Sequence, residues 1–395
     1  MSCERFDVVI AGAGLVGLAL APALSRAGLS VALVDRAPIA APEHDPFTFD
    51  HRVYAISPGS AAFLRALGAW QLLPCDRVTP IEAMRVVGDA DTTLSFSAYD
   101  LHERALAWIV EERLLRSVLL RRVFDAGVTV IGGMPFVGLV WSADEGTLTL
   151  GAADATPRSL AARLVIGADG VRSWVREAAG IVAEPKSYGQ TAIVANFASE
   201  RAHHGIARQW FRSDGGVLAW LPLPGRRISI VWSAPDAMAE ELRMLSPEAL
   251  ATQVAAAGEH ALGELVPITA AAGFPLSLLK LPTTIAHRLA LVGDAAHGVH
   301  PLAGQGVNLG FGDAQALAWV EAERGPVSDP GAPLLLERFA RRRVEPVLAM
   351  QTVTDGLARL FGRPAPWLST LRNAGLAAVD RLPLIKRALA QPALR

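Results

Sequence analysis

One stretch near the start limits the fold more than any other: Gly12-Ala13-Gly14-Leu15-Val16-Gly17. A short apolar run, residues 6–11, precedes it, and an apolar helical pattern over 18–27, closed by Gly28, follows. A second apolar run, 29–34, then ends in Asp35. Strand, glycine-rich turn, helix, strand and terminal acid in this order open a doubly wound parallel sheet, the Rossmann-type α/β arrangement. The glycines permit the tight turn, the approach of a pyrophosphate and helix–strand packing. Asp35 can hold a pair of ribose hydroxyls. The motif alone does not separate FAD from NAD.

The same strand-end chemistry recurs twice. Leu164-Val165-Ile166-Gly167-Ala168-Asp169-Gly170 and Leu289-Ala290-Leu291-Val292-Gly293-Asp294 are apolar runs that deliver a carboxylate at their tips. After Asp294 comes a loop with Pro301 and several glycines, then a segment of helical character over 313–323. One acidic strand end is common in a parallel sheet; three beside a glycine motif suggest one long ligand reached from several strand tips. Between 191 and 233 the texture changes to short alternating runs carrying Trp210, Trp220 and Trp232, which read as antiparallel sheet. The tryptophans read as core rather than ligand platform, and the sheet as a lid for an aromatic substrate. Residues 81–96 read as further antiparallel strands, and 106–124, 246–265 and 334–356 as helices. The closing 359–395 stretch alternates apolar and basic residues. It reads either as a helical tail packed on the body or as an amphipathic surface that touches a membrane or carries a greasy substrate to the site.

Composition narrows the classes further. With 395 residues the chain exceeds one compact core, so two closely packed domains are expected. Hydrophobic residues reach 51% and the formal charge is −1, with no basic stripe, which argues against nucleic acid as a partner. The two cysteines, Cys3 and Cys75, have neither metal nor disulfide-framework spacing, so no metal is expected and a reducing cytoplasm fits. The apolar run 8–24 is broken by Gly12, Gly14 and Gly17, which suits a buried strand–turn–helix better than a signal peptide.

With the three acidic strand ends in view, the chain resembles the class A FAD-dependent aromatic monooxygenases. Gly12-x-Gly14-x-x-Gly17 matches their FAD motif, Gly167-Ala168-Asp169-Gly170 their Asp-Gly motif and Gly293-Asp294 their Gly-Asp motif. Within that group, the run from His300-Pro301-Leu302-Ala303-Gly304-Gln305-Gly306-Val307-Asn308 to Asp313 resembles the signature of the ubiquinone-biosynthesis hydroxylases. Arg52-Val53-Tyr54-Ala55-Ile56-Ser57, Trp108 to Arg113, His203 to Ala207, Gln209 and Phe211 belong to the same likeness, which runs essentially end to end.

The resemblance implies an α/β fold: a Rossmann-type FAD-binding domain (1–75, 105–182, 284–345), an inserted antiparallel-sheet substrate domain (76–104, 183–283) and a C-terminal helical region (346–395). It implies FAD held by Gly12, Gly14, Gly17, Asp35, Arg36, Arg52, Asp169, Arg172, Asp294, Pro301, Gly306, Val307 and Asn308. Asp35 would take the adenosine ribose and Asp294 the ribityl chain, while Pro301, Gly304, Gly306 and Asn308 would face the isoalloxazine. NAD(P)H or an electron-transfer partner would reduce the flavin, O2 would add at C4a, and the hydroperoxide would hydroxylate a polyprenyl phenol or benzoquinol. No Ser/His/Asp set is required, and His297 and His300 read as structural. The implied setting is cytoplasmic, with peripheral contact at the inner membrane and a quinone-biosynthesis complex as partners. Two rivals stand beside this: a hydroxylase of another small aromatic, and a flavin-holding assembly subunit. The chain departs from the likeness at Asp35 (more often Glu), Glu112 (usually Asn) and Val217 (usually Pro); no flavin contact is carried over to Glu112.

Overall fold

The computed structural model describes residues 3–42, 45, 48–88, 92–151, 157–300, 304–325 and 327–361. Its architecture follows from the Cys3–Ala11 strand. Val8, Val9, Ile10 and Ala11 are wholly buried, which is why this strand is continuously apolar rather than alternating. It pairs in parallel with Arg158–Gly167 on one side and Val31–Val34 on the other. Leu289–Leu291 extends the sheet beyond Arg158–Gly167, and Thr129–Ile131 beyond Val31–Val34, again in parallel. Parallel pairing sends all these carboxyl ends to one edge. The register sets Ala11 level with Val34 and Gly167, and Gly167 level with Leu291. Asp294, Asp169, Gly12 and Asp35 therefore emerge side by side along that edge, in that order.

Helices Leu15–Arg26, Glu112–Asp125 and Gly306–Ala322 cover one face of this sheet and share its largest core. The glycines expected to form a loop up to residue 312 instead build the first turns of the Gly306–Ala322 helix. They serve close packing: a Cβ on Gly310 would stand 2.5 Å from Val16 Cγ2. The helix expected over 106–124 also divides. Ala107–Glu111 is a strand between Val53–Ile56 and Thr79–Ile81, and the helix begins at Glu112. Trp108, Ile109 and Val110 are strand-favouring side chains, and their packing overrides the helical pattern beyond them. The helix expected over 246–265 stops at Ala257, where a Cβ on Gly258 would meet the Trp220 ring at 2.1 Å.

The second sheet has eight strands. Lys186–Ser199, Arg227–Pro235, Val217–Leu223 and Ile206–Phe211 are antiparallel neighbours; Ala83–Val87 joins Ile206–Phe211 in parallel, and Thr93–Ser97 closes that side. Strand alternation sorts its side chains onto two faces. Trp210, Trp220 and Trp232 pack with Phe197, Ile230 and the helices Asp236–Met244 and Pro247–Ala257, so all three are core. The intervening positions, among them Val194, Gln209, Ala219 and Val231, turn toward the carboxyl edge of the first sheet. The Pro333–Phe361 helix packs on the Gly306–Ala322 helix; the tail beyond residue 361 lies outside the described residues. Among the described residues no helix is long and apolar enough to cross a membrane.

Glu321 introduces a pH-dependent weakness. It is fully buried in the Gly306–Ala322 helix, and neither carboxyl oxygen has a hydrogen-bond partner among the described residues. Burial, opposed by Arg324 and reinforced by Asp329, raises its pKa to about 7. A carboxyl whose folded pKa exceeds its unfolded value is harmless below the unfolded value of about 4.3 and destabilises progressively as pH rises toward the folded one. The permanently neutral Glu321→Gln should therefore be more stable than wild type, by a margin that grows by about 2 kcal/mol between roughly pH 5 and pH 8. Denaturant unfolding at the two pH values measures that margin.

Candidate active site

The three glycines of the first motif do different work. Gly12 has φ +114°, and a Cβ there would lie 2.2 Å from the Ala168 carbonyl oxygen. A Cβ on Gly17 would lie 2.0 Å from the Gly12 oxygen. Both are demanded by backbone crossing backbone. Gly14 is not: its φ is an ordinary −72°, and nothing stands within 4 Å of where its Cβ would be. It borders a cavity of about 670 Å³ at the carboxyl edge of the first sheet. Gly306 repeats the arrangement, with open space at the Cβ position and the same cavity in front of it. Each glycine sits at the start of a helix, Leu15–Arg26 or Gly306–Ala322, that has no side-chain cap and no acidic residue in its first turn. Two uncapped helix N-termini thus point their amides and positive dipole ends into one cavity.

The three strand-end carboxylates also differ. Asp35 accepts the Ala13 N–H at 2.6 Å and the Ala37 N–H at 2.8 Å, bracing the glycine turn on the neighbouring strand. Asp169 accepts the Ser173 hydroxyl at 2.5 Å and the Val175 N–H at 3.1 Å, fixing the start of the Trp174–Ala178 helix. Burial raises its pKa against those hydrogen bonds. Asp294 is exposed at the cavity, which its carboxylate borders. Burial raises its pKa, the Asp313 charge adds to this, and His297 and Arg52 oppose it. Of the three it is the acid placed to accept from ligand hydroxyls.

Behind Asp294 stands a buried ionic cluster. Asp313 accepts the Gly293 N–H at 2.8 Å, bonds His297 Nε2 at 2.6 Å and accepts from Arg343 Nε at 2.6 Å. Burial favours the neutral forms, but the mutual attraction wins: Asp313 is held below the usual carboxylate range and His297 above the usual imidazole range. His297 is therefore structural. His300 is too, its Nε2 2.9 Å from the Gln190 amide oxygen, with burial pushing its pKa down to about 4.

Asn308 is equally committed. Its amide donates to the Ala55 oxygen at 2.8 Å and accepts the Ser57 N–H at 2.9 Å, tying the Val53–Ile56 strand to the second helix start. Val307 and Gly304 border the cavity. Pro301 lies outside the described residues. Arg36 and Arg172 are exposed, and neither borders the cavity.

Arg52 and Glu112 both border the cavity and pair at 3.0 Å. Arg52 also stacks on Tyr54 and Phe274, with 5.7 and 5.4 Å to the ring centroids. Burial raises the pKa of Glu112, with Arg52 and a hydrogen bond from Tyr54 opposing. The loop carrying Arg52 is held by groups that sequence pattern does not mark. Asp50 N–H donates to Glu111 at 2.7 Å, and Asn196 in the second sheet donates to the Asp50 oxygen at 2.7 Å. Arg176, 3% exposed, bridges the Ala295 and Val171 oxygens at 3.0 and 2.9 Å and so links the Asp294 and Asp169 loops.

This edge suits a dinucleotide with a redox-active ring. One uncapped N-terminus can meet a pyrophosphate across Gly14, and the other can meet the electron-rich ring across Gly306. Asp294 lies between the two sheets, where a polyhydroxyl chain can cross. Two sheets of this topology around such an edge define a flavin-binding α/β enzyme.

Residues 5–344 match the FAD binding domain family, and the chain belongs to it. The chain is 37% identical over 390 residues to ubiquinone hydroxylase UbiL of Rhodospirillum rubrum, spanning 96% of this chain and 87% of that protein. It is 32% identical over 394 residues to 3-demethoxyubiquinol 3-hydroxylase of Escherichia coli, spanning 98% of each. Its fold is shared with p-nitrophenol 4-monooxygenase PnpA from Pseudomonas putida, at a TM-score of 0.79, 17% identity and 99% coverage of both chains. The chain is an FAD-dependent monooxygenase.

The glycines separate structure from binding. Gly14→Val should lower FAD affinity by at least about tenfold while leaving the thermal midpoint of the flavin-free protein within a few degrees, because the added atoms enter ligand space. Gly12→Ala should instead destabilise the fold by about 3 kcal/mol through overpacking and a strained φ. FAD titration and thermal melting of both variants distinguish the two effects. Asn308→Ala strips two backbone groups of their partner and should cost about 2 kcal/mol, read as a lowered denaturation midpoint even without flavin.

Proposed function

We propose that this enzyme hydroxylates the aromatic ring of a polyprenyl phenol or benzoquinol intermediate of ubiquinone biosynthesis. The observation that carries the reading is the continuity of one cavity. It runs from the two uncapped helix starts and Asp294 onto the apolar face of the second sheet, past Val194, Ala219, Leu221 and Val231. A polar cofactor and a greasy substrate can therefore share it. The names of the two relatives, a ubiquinone hydroxylase and a 3-demethoxyubiquinol 3-hydroxylase, support the same substrate class.

FAD, when bound and reduced by NAD(P)H or an electron-transfer partner, supplies the chemistry that activates O2 and delivers one oxygen atom to an electron-rich ring. The protein contributes placement and dryness. Gly14 and Gly306 let backbone amides approach the cofactor, and the dipole of the Gly306–Ala322 helix favours negative charge on the ring it faces. Asp294 would hold the ribityl hydroxyls, and Asp35, which braces the glycine turn, would stand near the adenosine ribose. The apolar sheet face keeps water from the reacting ring. A polyprenyl chain partitions into lipid, so the substrate would be met from the cytoplasm at the inner-membrane surface, within a quinone-biosynthesis assembly.

Asp294→Ala should reduce FAD retention at least about tenfold and abolish ring hydroxylation, since a buried hydroxyl loses its charged partner. Quinone profiling of a deletion strain complemented by each form is the measurement. Wild type should restore the quinone and Asp294→Ala should leave a ring-deficient intermediate. Full restoration by the variant would point instead to a flavin-holding assembly role, and an unchanged pool in the deletion strain would remove the pathway.

A further inference from the structure

The face that the second sheet turns to the cavity is apolar at almost every alternate position: Ala192, Val194, Ala207, Ala219, Leu221 and Val231. Gln209 breaks the pattern. It stands level with Ala219 on one neighbouring strand and Val86 on the other, is 5% exposed, and borders the cavity. Among the described residues no group hydrogen-bonds its carboxamide, whose polar atoms stay open to the cavity. Ser229 on the same face is wholly buried, and its hydroxyl oxygen also lacks a partner. The unpaired indole nitrogens of Trp210, Trp220 and Trp232 are a different matter, since those rings lie on the opposite face, closed in by helices.

A carboxamide set alone among apolar side chains on a cavity wall has only solvent to bond, and it loses that bond uncompensated when an apolar ligand displaces the water. Such a group is retained at a binding site when a ligand completes it. We infer that the Gln209 carboxamide hydrogen-bonds the ring oxygen of the bound aromatic substrate and so sets which way round the ring lies. The inference rests on the prenylated-phenol reading. A carboxamide both donates and accepts, so it takes a neutral phenol or quinol hydroxyl without a charge in an apolar site. It holds no titratable proton, so its contribution is to recognition and orientation and not to deprotonation. Ser229, nearer Asn196 and the Asp50 loop, is placed for a second ring substituent.

The test uses the FAD-loaded full chain and two probes, 2-geranylphenol and geranylbenzene, matched except for the ring hydroxyl. Binding is read from the change in the oxidised-flavin absorbance. Wild type should bind the phenol at least about tenfold more tightly than the hydrocarbon, the usual consequence of a buried polar group left unpaired by the wrong ligand. Gln209→Met, close in shape, should bind both probes within about twofold of each other, at the affinity wild type shows for the hydrocarbon. Its thermal midpoint without ligand should be equal to or above that of wild type. Gln209→Leu should repeat the result in a different shape. A phenol preference that survives in either variant, or equal binding of the two probes by wild type, overturns the inference while leaving the prenylated-phenol reading intact. A yellow wild-type protein that binds neither probe overturns that reading itself, and this inference with it.

Discussion

A carboxylate that is 1% exposed, Asp313, carries the geometry of the flavin-facing edge. It lies two turns into the Gly306–Ala322 helix and reaches back to the Gly293 amide, sideways to His297 and outward to Arg343 in the Pro333–Phe361 helix. Three segments far apart in sequence are thereby set at one point. Moving three charged groups out of water is costly, and the cost is met only while every partner is present. Losing one would leave a buried charge uncompensated, at about 3–5 kcal/mol. The cluster therefore behaves as a unit. While it holds, the Gly293–Asp294 turn and the helix start at Gly306 keep a fixed relation, and Asp294 stays aimed at the cavity rather than at a protein donor.

The same recurring pattern, an acid at the tip of an apolar strand, yields three physical outcomes along this edge. Asp35 turns back onto the amides of Ala13 and Ala37; Asp169 caps a short helix; Asp294 alone opens to the cavity. The difference lies in the donors within reach of each strand tip. Beyond Asp35 the chain offers a nearby amide at Ala37, and beyond Asp169 it offers Ser173 and Val175. Around Asp294, the local donors Gly293 and His297 are already taken by Asp313. One buried carboxylate leaves another free.

That contrast marks how far sequence could be read. Parallel strands, the glycine turn and the shared carboxyl edge were legible because they rest on local periodicity and on the order of strand, glycines, helix, strand and terminal acid. The separation of Gly14 from its two companions was not, since it depends on Ala168, contributed by a strand more than a hundred residues away. The helix start at Gly306 was hidden for a related reason: glycine is a poor helix former, and only the contact of Gly310 with Val16 explains its presence there. Asp313 looked like the head of a helix because charge is common at such positions. Its three partners come from distant segments, and no spacing in the chain records them.

The cavity joins two unlike walls. The first sheet supplies helix dipoles, Asp294 and, beside it, the Arg52–Glu112 pair with Tyr54. The second supplies a face that is apolar at most alternate positions and carries Gln209 and Ser229 there, with Arg208 also bordering the cavity. Charge placed against the reacting ring would bind water and favour ionised substrates, whereas apolar side chains with neutral hydrogen-bonding groups exclude solvent around the ring. With no base on the substrate wall, the ring must arrive already electron-rich, and the site of oxygen insertion is decided by how the ring is held. Orientation on the facing sheet can therefore change without disturbing the cofactor. A common flavin edge can thus serve hydroxylations at different ring positions, with selectivity residing in a few side chains on the facing sheet.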